Sequence, residues 1–206
     1  MFTKTLFSAA LVATFVLTAA GVQAAVDPTL MARAEKGEAE AQYQVAQAFL
    51  SGKDVEKNVE KAIDWLKDAA GNDHVYAQMQ LGNRYRTGDG VKKNPLRAIY
   101  YYREASKQGN IYAMMNIAYM YNKGDGVPVN YGKALAWFKK AADLNDSRAQ
   151  ILVADKYERG EGTEKNKELA VEYYLKACNN GDDYACSQYT NLTQIPDRML
   201  NTPLRR

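Results

Sequence analysis

A chain of 206 residues with 47% hydrophobic and 25% charged side chains is long enough to bury the core of an elongated domain, and too apolar to be disordered throughout. Its formal charge is +3, with 27 basic residues against 24 acidic ones. The two signs are interleaved rather than blocked, which argues against a nucleic-acid interface or a polybasic membrane surface.

Met1 to Ala24 reads as a cleavable signal peptide (residues 1–24). Lys4 supplies a positive start, Leu6 to Ala20 an apolar run, and Val22-Gln23-Ala24 the small residues that signal peptidase needs at −3 and −1. The run is too short for a comfortable span, so no membrane insertion is expected after cleavage; an uncleaved N-terminal anchor is the alternative. The expected product begins at Ala25 and resides in the periplasm or outside the cell. Asp27-Pro28 then opens a short helix, and residues 25–38 read as an N-terminal helical cap.

From there the sequence repeats. Ala41, Ala77, Ala113 and Ala149 lie 36 residues apart, and Ala185 continues the count. Val45, Leu81, Ile117 and Val153 keep the same step, as do Phe49, Tyr85, Tyr121 and Tyr157, and Gly52, Gly88, Gly124 and Gly160. So do Asn58, Asn94, Asn130 and Asn166, and the alanines at 62, 98, 134 and 170. Four copies result, over 39–73, 74–109, 110–145 and 146–182. A period of this size without insertions predicts a stack of supersecondary units.

One unit can be read physically. From Ala77, small or apolar residues recur at Leu81, Gly82 and Tyr85, the stripe of an amphipathic helix. Gly88-Asp89-Gly90 stops that helix, and Asn94-Pro95 starts another that carries Ala98, Tyr101, Tyr102 and Ala105 inward. Gly109 ends it. Such a pair cannot bury its apolar face alone and must stack on neighbours. Residues 183–206 read as the first helix of a partial fifth repeat, to about Leu192, followed by a capping turn or tail.

The pattern A-x-x-x-L-G-x-x-Y-x-x-G-x-G-V-x-x-N-x-x-x-A-x-x-x-Y, clearest in the second and third copies, resembles the Sel-one-like repeat, a relative of the tetratricopeptide repeat. The first copy departs from it with Asp54 for the second loop glycine, and the fourth with Thr163 for the valine. The resemblance implies an all-α, right-handed α-solenoid of stacked helix-turn-helix units whose first helices line a concave face, and an adaptor rather than an enzyme. It also implies that the helices carrying Cys178 and Cys186 are antiparallel neighbours, so that the pair forms a structural disulfide like those of cysteine-rich secreted relatives.

Catalytic parts are hard to find. His74 is the single histidine, read as a solvated loop residue, so no multi-histidine metal site can be built and no cofactor or metal is expected. The glycine-rich loops lack the Lys-Ser/Thr of a phosphate loop, and Asp89 and Asp125 read as turn residues. The solenoid geometry that the resemblance implies places Tyr43, Tyr76, Met79, Asn83, Arg86, Tyr112, Met115, Tyr119 and Asn122 on the concave face. Tyrosine and methionine among amides and charges suit protein recognition. A protein or peptide partner is therefore expected, with the chain a monomer or transient oligomer acting as adaptor or scaffold. The alternatives are an immunity protein neutralising a secretion-system toxin and, further off, a weak penicillin-hydrolysing or cell-wall enzyme.

Overall fold

In the computed structural model, residues 25–194 are described; the expected signal segment and the tail after Gln194 lie outside them. The described residues form ten helices and no strand. A short helix α1 (Pro28–Glu35) precedes four pairs: α2 (Ala39–Ser51) with α3 (Val59–Gly71), α4 (Val75–Thr87) with α5 (Pro95–Lys107), α6 (Ile111–Lys123) with α7 (Tyr131–Asp143), and α8 (Ser147–Arg159) with α9 (Lys167–Asn179). Helix α10 (Asp183–Thr193) follows. Each of the eight paired helices is 13 residues long. The stacked helix-turn-helix solenoid expected from the 36-residue period is the fold observed.

Local chemistry sets the boundaries. Asn58, Asn94, Asn130 and Asn166 cap the second helices, each accepting a hydrogen bond from the amide three residues on. First helices end on glycine in the left-handed region, as at Gly88 with φ of 89°. Burial follows the repeat. Ala77, Leu81, Ala98, Tyr102 and Ala105 of the second unit are fully enclosed, as are Ala113, Ile117, Ala134, Phe138 and Ala141 of the third. In the first three units the aromatic ring near the end of the first helix is sheltered by a cation one helix on: Lys61 over Phe49, Arg97 over Tyr85 and Lys133 over Tyr121; in the fourth, Lys139 of the preceding helix lies over Tyr157.

Two features tie one unit to the next. Gln42, Gln78 and Gln150, all buried, donate through Nε2 to the carbonyls of Ala34, Ala70 and Ala142 in the preceding helix. Their Oε1 atoms accept from Asn72, Gln108 and Asn180. At these two positions the third unit has Met114 and Leu144, so both partners turn apolar together. The second tie is the loop glycine at 90, 126 and 162, which takes positive φ and sits against the first turn of the preceding second helix. A Cβ there would lie 2.4 Å from Val59, 2.1 Å from Pro95 and 2.3 Å from the backbone of Tyr131, respectively. The first copy has Asp54 instead, also at positive φ. Its neighbour α1 starts only at Pro28, with residues 25–27 non-helical, whereas the register of α3 and α5 would start it at 23. The departure from glycine falls where residues 25–27, the described part of the corresponding turn, are not helical.

The far end is closed by polarity and by a covalent link. Thr190 and Thr193 stand in α10 where the earlier first helices have Ala or Gly and then Phe or Tyr. Their hydroxyls bond back to the carbonyls of Ser187 and Tyr189. Cys178 in α9 and Cys186 in α10 form a disulfide, with Cα atoms 4.6 Å apart. Closing a loop this short corresponds to about 2–3 kcal/mol of denatured-state entropy. Cys178→Ser is therefore expected to lower the melting temperature of the purified protein and to fray α10 first. Scanning calorimetry with and without reductant checks this, and an unchanged melting temperature would contradict it.

Candidate functional site: the first-helix face

The first helices α2, α4, α6 and α8 follow one another along the stack, and side chains bridge α2 to α4 and α6 to α8. Between α2 and α4, Gln47 donates to Gln80 (3.2 Å), which donates in turn to the Tyr43 hydroxyl (3.2 Å). Tyr43 stacks on His74 with centroids 4.4 Å apart, and Tyr76 lies 6.3 Å from Tyr43. Between α6 and α8, Lys156 donates to Asn122 (2.5 Å). These residues recur at one helical face, which is why the period brings them into one row.

His74 departs from the expectation of a solvated loop residue: its side chain is only 10% exposed. It occupies the N-cap of α4, where the next units have Asn110, Asp146 and Asp182. Nδ1 accepts from the Ala77 amide, which leaves Nε2–H to donate to Glu40 at 2.9 Å. That bond, followed by one from Gln44, holds the Glu40 carboxyl below its ordinary range.

Of the nine candidate residues, several are engaged inside the protein. Asn83 accepts from the Tyr102 hydroxyl at 2.6 Å. Arg86 lies against that hydroxyl and donates to Asp125 at 3.2 Å, across to the next unit. Asn122 holds Lys156, and Tyr119 packs edge-on against Phe138 at 5.3 Å. Met79 is half-buried against the core, and Met115 is 7% exposed. In the fourth unit the counterpart of Asn83 is Asp155, which with Glu158 accepts from Tyr174. Burial, then those carboxylates, push the Tyr174 phenol far above its ordinary range, so it stays a donor. The polar residues of the row are thus largely framework.

What stays open is narrower. Tyr76 is 62% exposed and Tyr112 75%, and the two stand at matching positions of adjacent helices. Beside Tyr112 a cavity of about 200 Å³ runs between α6 and α8, floored by Met115 and Tyr119 and rimmed by Asn116 and Arg148. Asn116 was not among the candidates. It sits three residues after the repeat alanine, where Gln44 and Gln80 stand in earlier copies, and that recurring amide was the available clue. A larger cavity, about 600 Å³, lies at the other end against α1, lined by Val26, Met31, Phe49 and Val55; it shares no residue with the first-helix face. Among the described residues no cluster of His, Cys, Asp and Glu could hold a metal ion, and no helix is long and apolar enough to cross a membrane.

The family model described as Sel1 repeat matches four consecutive times, over residues 39–74, 75–110, 111–146 and 147–182. The chain belongs to the Sel1 repeat family. Sel1 repeats commonly mediate protein–protein interaction and generally serve as non-enzymatic scaffolds. Among solved structures, the Sel1-like repeat protein c5321 of uropathogenic Escherichia coli, a protective antigen, is 31% identical with a TM-score of 0.67. The match covers 81% of this chain and 36% of that one, so this chain spans about a third of the antigen's length. A Sel1 repeat protein of Oxalobacter formigenes is 28% identical with a TM-score of 0.66, over 80% of this chain and 68% of the other. The immunity protein Pa5087 of Pseudomonas aeruginosa is also similar, at 19% identity and a TM-score of 0.45 over 72% of this chain and 71% of that one. No curated protein gives a significant match.

Proposed function

We propose that this Sel1 repeat protein is an exported scaffold that binds a protein or peptide partner on the face formed by its first helices. The observation that carries the reading is the pair Tyr76 and Tyr112. Two large phenols stand in solvent on neighbouring first helices, where Asn83, Arg86 and Asn122 are held by hydrogen bonds within the protein. Tyrosine is among the residues most often found as interface hot spots. In this reading the protein is not an enzyme. The immunity alternative has no observation of its own here.

Pull-down from periplasmic extract, followed by titration of the captured partner, tests the proposal. Tyr112→Ala or Tyr76→Ala should weaken binding about 30-fold, the effect of losing a hot-spot residue, with helicity unchanged by circular dichroism. Lys107→Ala, on the exposed side of α5, should leave affinity unchanged. The reverse pattern would overturn the assignment. Export is supported by Lys4, the apolar run and the Val-Gln-Ala site, and by a disulfide that needs an oxidising compartment. The mass of protein recovered from the periplasm should begin at Ala25; retention of Met1 in the membrane fraction would contradict it.

A further inference from the structure

The position just before the repeat alanine reads Glu40, Tyr76, Tyr112, Arg148 and Tyr184 along α2, α4, α6, α8 and α10. Side chains of opposite charge flank the two central tyrosines, and the exposed Tyr184 follows beyond Arg148. On one side the Glu40 carboxylate is fixed by His74 and Gln44, and Arg33, ion-paired with Glu38, acts on it only from a distance. The rings of Tyr43, His74 and Tyr76 stand beside it. An anion flanked by aromatic rings is a setting for a cation. On the other side Arg148 is exposed, makes no ion pair among the described residues, and rims the cavity floored by Met115 and Tyr119, which Asp146 also lines while its carboxylate caps α8 through the Ala149 amide.

Resting on the binding face proposed above, we infer that the row reads an extended peptide of defined polarity. A basic side chain lies at Glu40, apolar or aromatic side chains pack on Tyr76 and Tyr112, and a carboxylate meets Arg148. The dimensions agree. Helices packed about 8–10 Å apart put three steps at roughly 24–30 Å, which an extended chain spans in about eight or nine residues. The cavity beside Tyr112 takes the apolar side chain next to the acidic one. Interfacial charge complementarity of this kind selects partner and register more than it adds raw affinity.

Four labelled synthetic nonapeptides with one apolar, tyrosine-containing middle test this by fluorescence anisotropy at low salt. Two carry Lys at one end and Glu at the other, in opposite chain directions; a third carries Glu at both ends and a fourth Lys at both. The wild-type protein should bind one mixed-charge peptide about tenfold more tightly than either same-charge peptide. Glu40→Lys should shift the preference to the peptide with two Glu ends, and Arg148→Glu to the one with two Lys ends. Circular dichroism of both variants checks that they fold. An unchanged order of affinities in the charge-reversed proteins, or no binding by any of the four, overturns the inference. If all four bind equally and Tyr112→Ala weakens all of them, the binding face stands and its polarity fails. If Tyr112→Ala leaves measurable binding untouched, the face itself is wrong.

Discussion

Gly162→Ala is expected to lower the unfolding free energy by about 3–4 kcal/mol, the sum of left-handed strain and overpacking against an unyielding neighbour. Gly162 has φ of 79°, and an added methyl would meet the carbonyl carbon and oxygen of Tyr131 and the amide nitrogen of Gly132 at 2.3–2.5 Å. Those are backbone atoms in the first turn of α7, so no side-chain rotation can relieve the contact. Asp54 occupies the same place in the first unit, and Asp54→Ala should change stability by less than about 1 kcal/mol, as surface substitutions do. Urea unfolding followed by circular dichroism compares the two. Equal effects would show that the loop conformation, not its seat on the preceding helix, decides the residue.

A second large effect is expected at Lys156, whose side chain is only 5% exposed. Its ammonium bonds to Glu161 at 3.1 Å and Asn122, and it faces the rings of Tyr131 and Phe138. Glu161→Gln removes the anion and leaves a buried cation with neutral neighbours. A loss of about 2–3 kcal/mol follows, somewhat below the figure for a fully enclosed pair because Glu161 itself reaches solvent. Lys156→Met removes the cation as well and should cost less than about 1 kcal/mol, since a hydrophobic side chain of similar volume often replaces a buried pair without loss. The third unit supplies the precedent: Met120 fills this position there and is fully buried. Thermal or urea unfolding of the two variants gives the comparison. A larger loss for Lys156→Met than for Glu161→Gln would show that the ion pair itself holds the fourth unit in place.

The fold was legible because its determinants recur every 36 residues: alanine spacing, the asparagine caps and the loop glycines each name a boundary by a local rule. The first-helix face was only half legible. Spacing assigns Asn83, Tyr119 and Asn122 to that face, but whether each is free depends on residues far away in sequence. Tyr102 takes Asn83, Phe138 takes Tyr119, and Lys156 takes Asn122. The matching does show when copies are compared: Asn83 and Asp155, both oxygen acceptors, face the hydroxyls of Tyr102 and Tyr174, whereas the Tyr119 ring faces Phe138, which has no hydroxyl. His74 was unreadable for another reason. Histidine is not among the favoured N-caps, and its role rests on the one tautomer that leaves Nδ1 able to accept.

The buried glutamine bridge joins three of the four units to what precedes them, and at the fourth place Met114 and Leu144 stand instead. A hydrogen bond fixes an angle, whereas contact between thioether and hydrocarbon does not. The junction of the second and third units therefore keeps a directional tie at the loop end, where Arg86 of α4 meets Asp125 after α6, and is packed by Met114 and Leu144 at the opposite end. That makes it a pivot. Tyr76 and Tyr112 stand at the packing end, one on either side of it, so the spacing of the two phenols is the dimension of the solenoid freest to open and close around whatever lies between them.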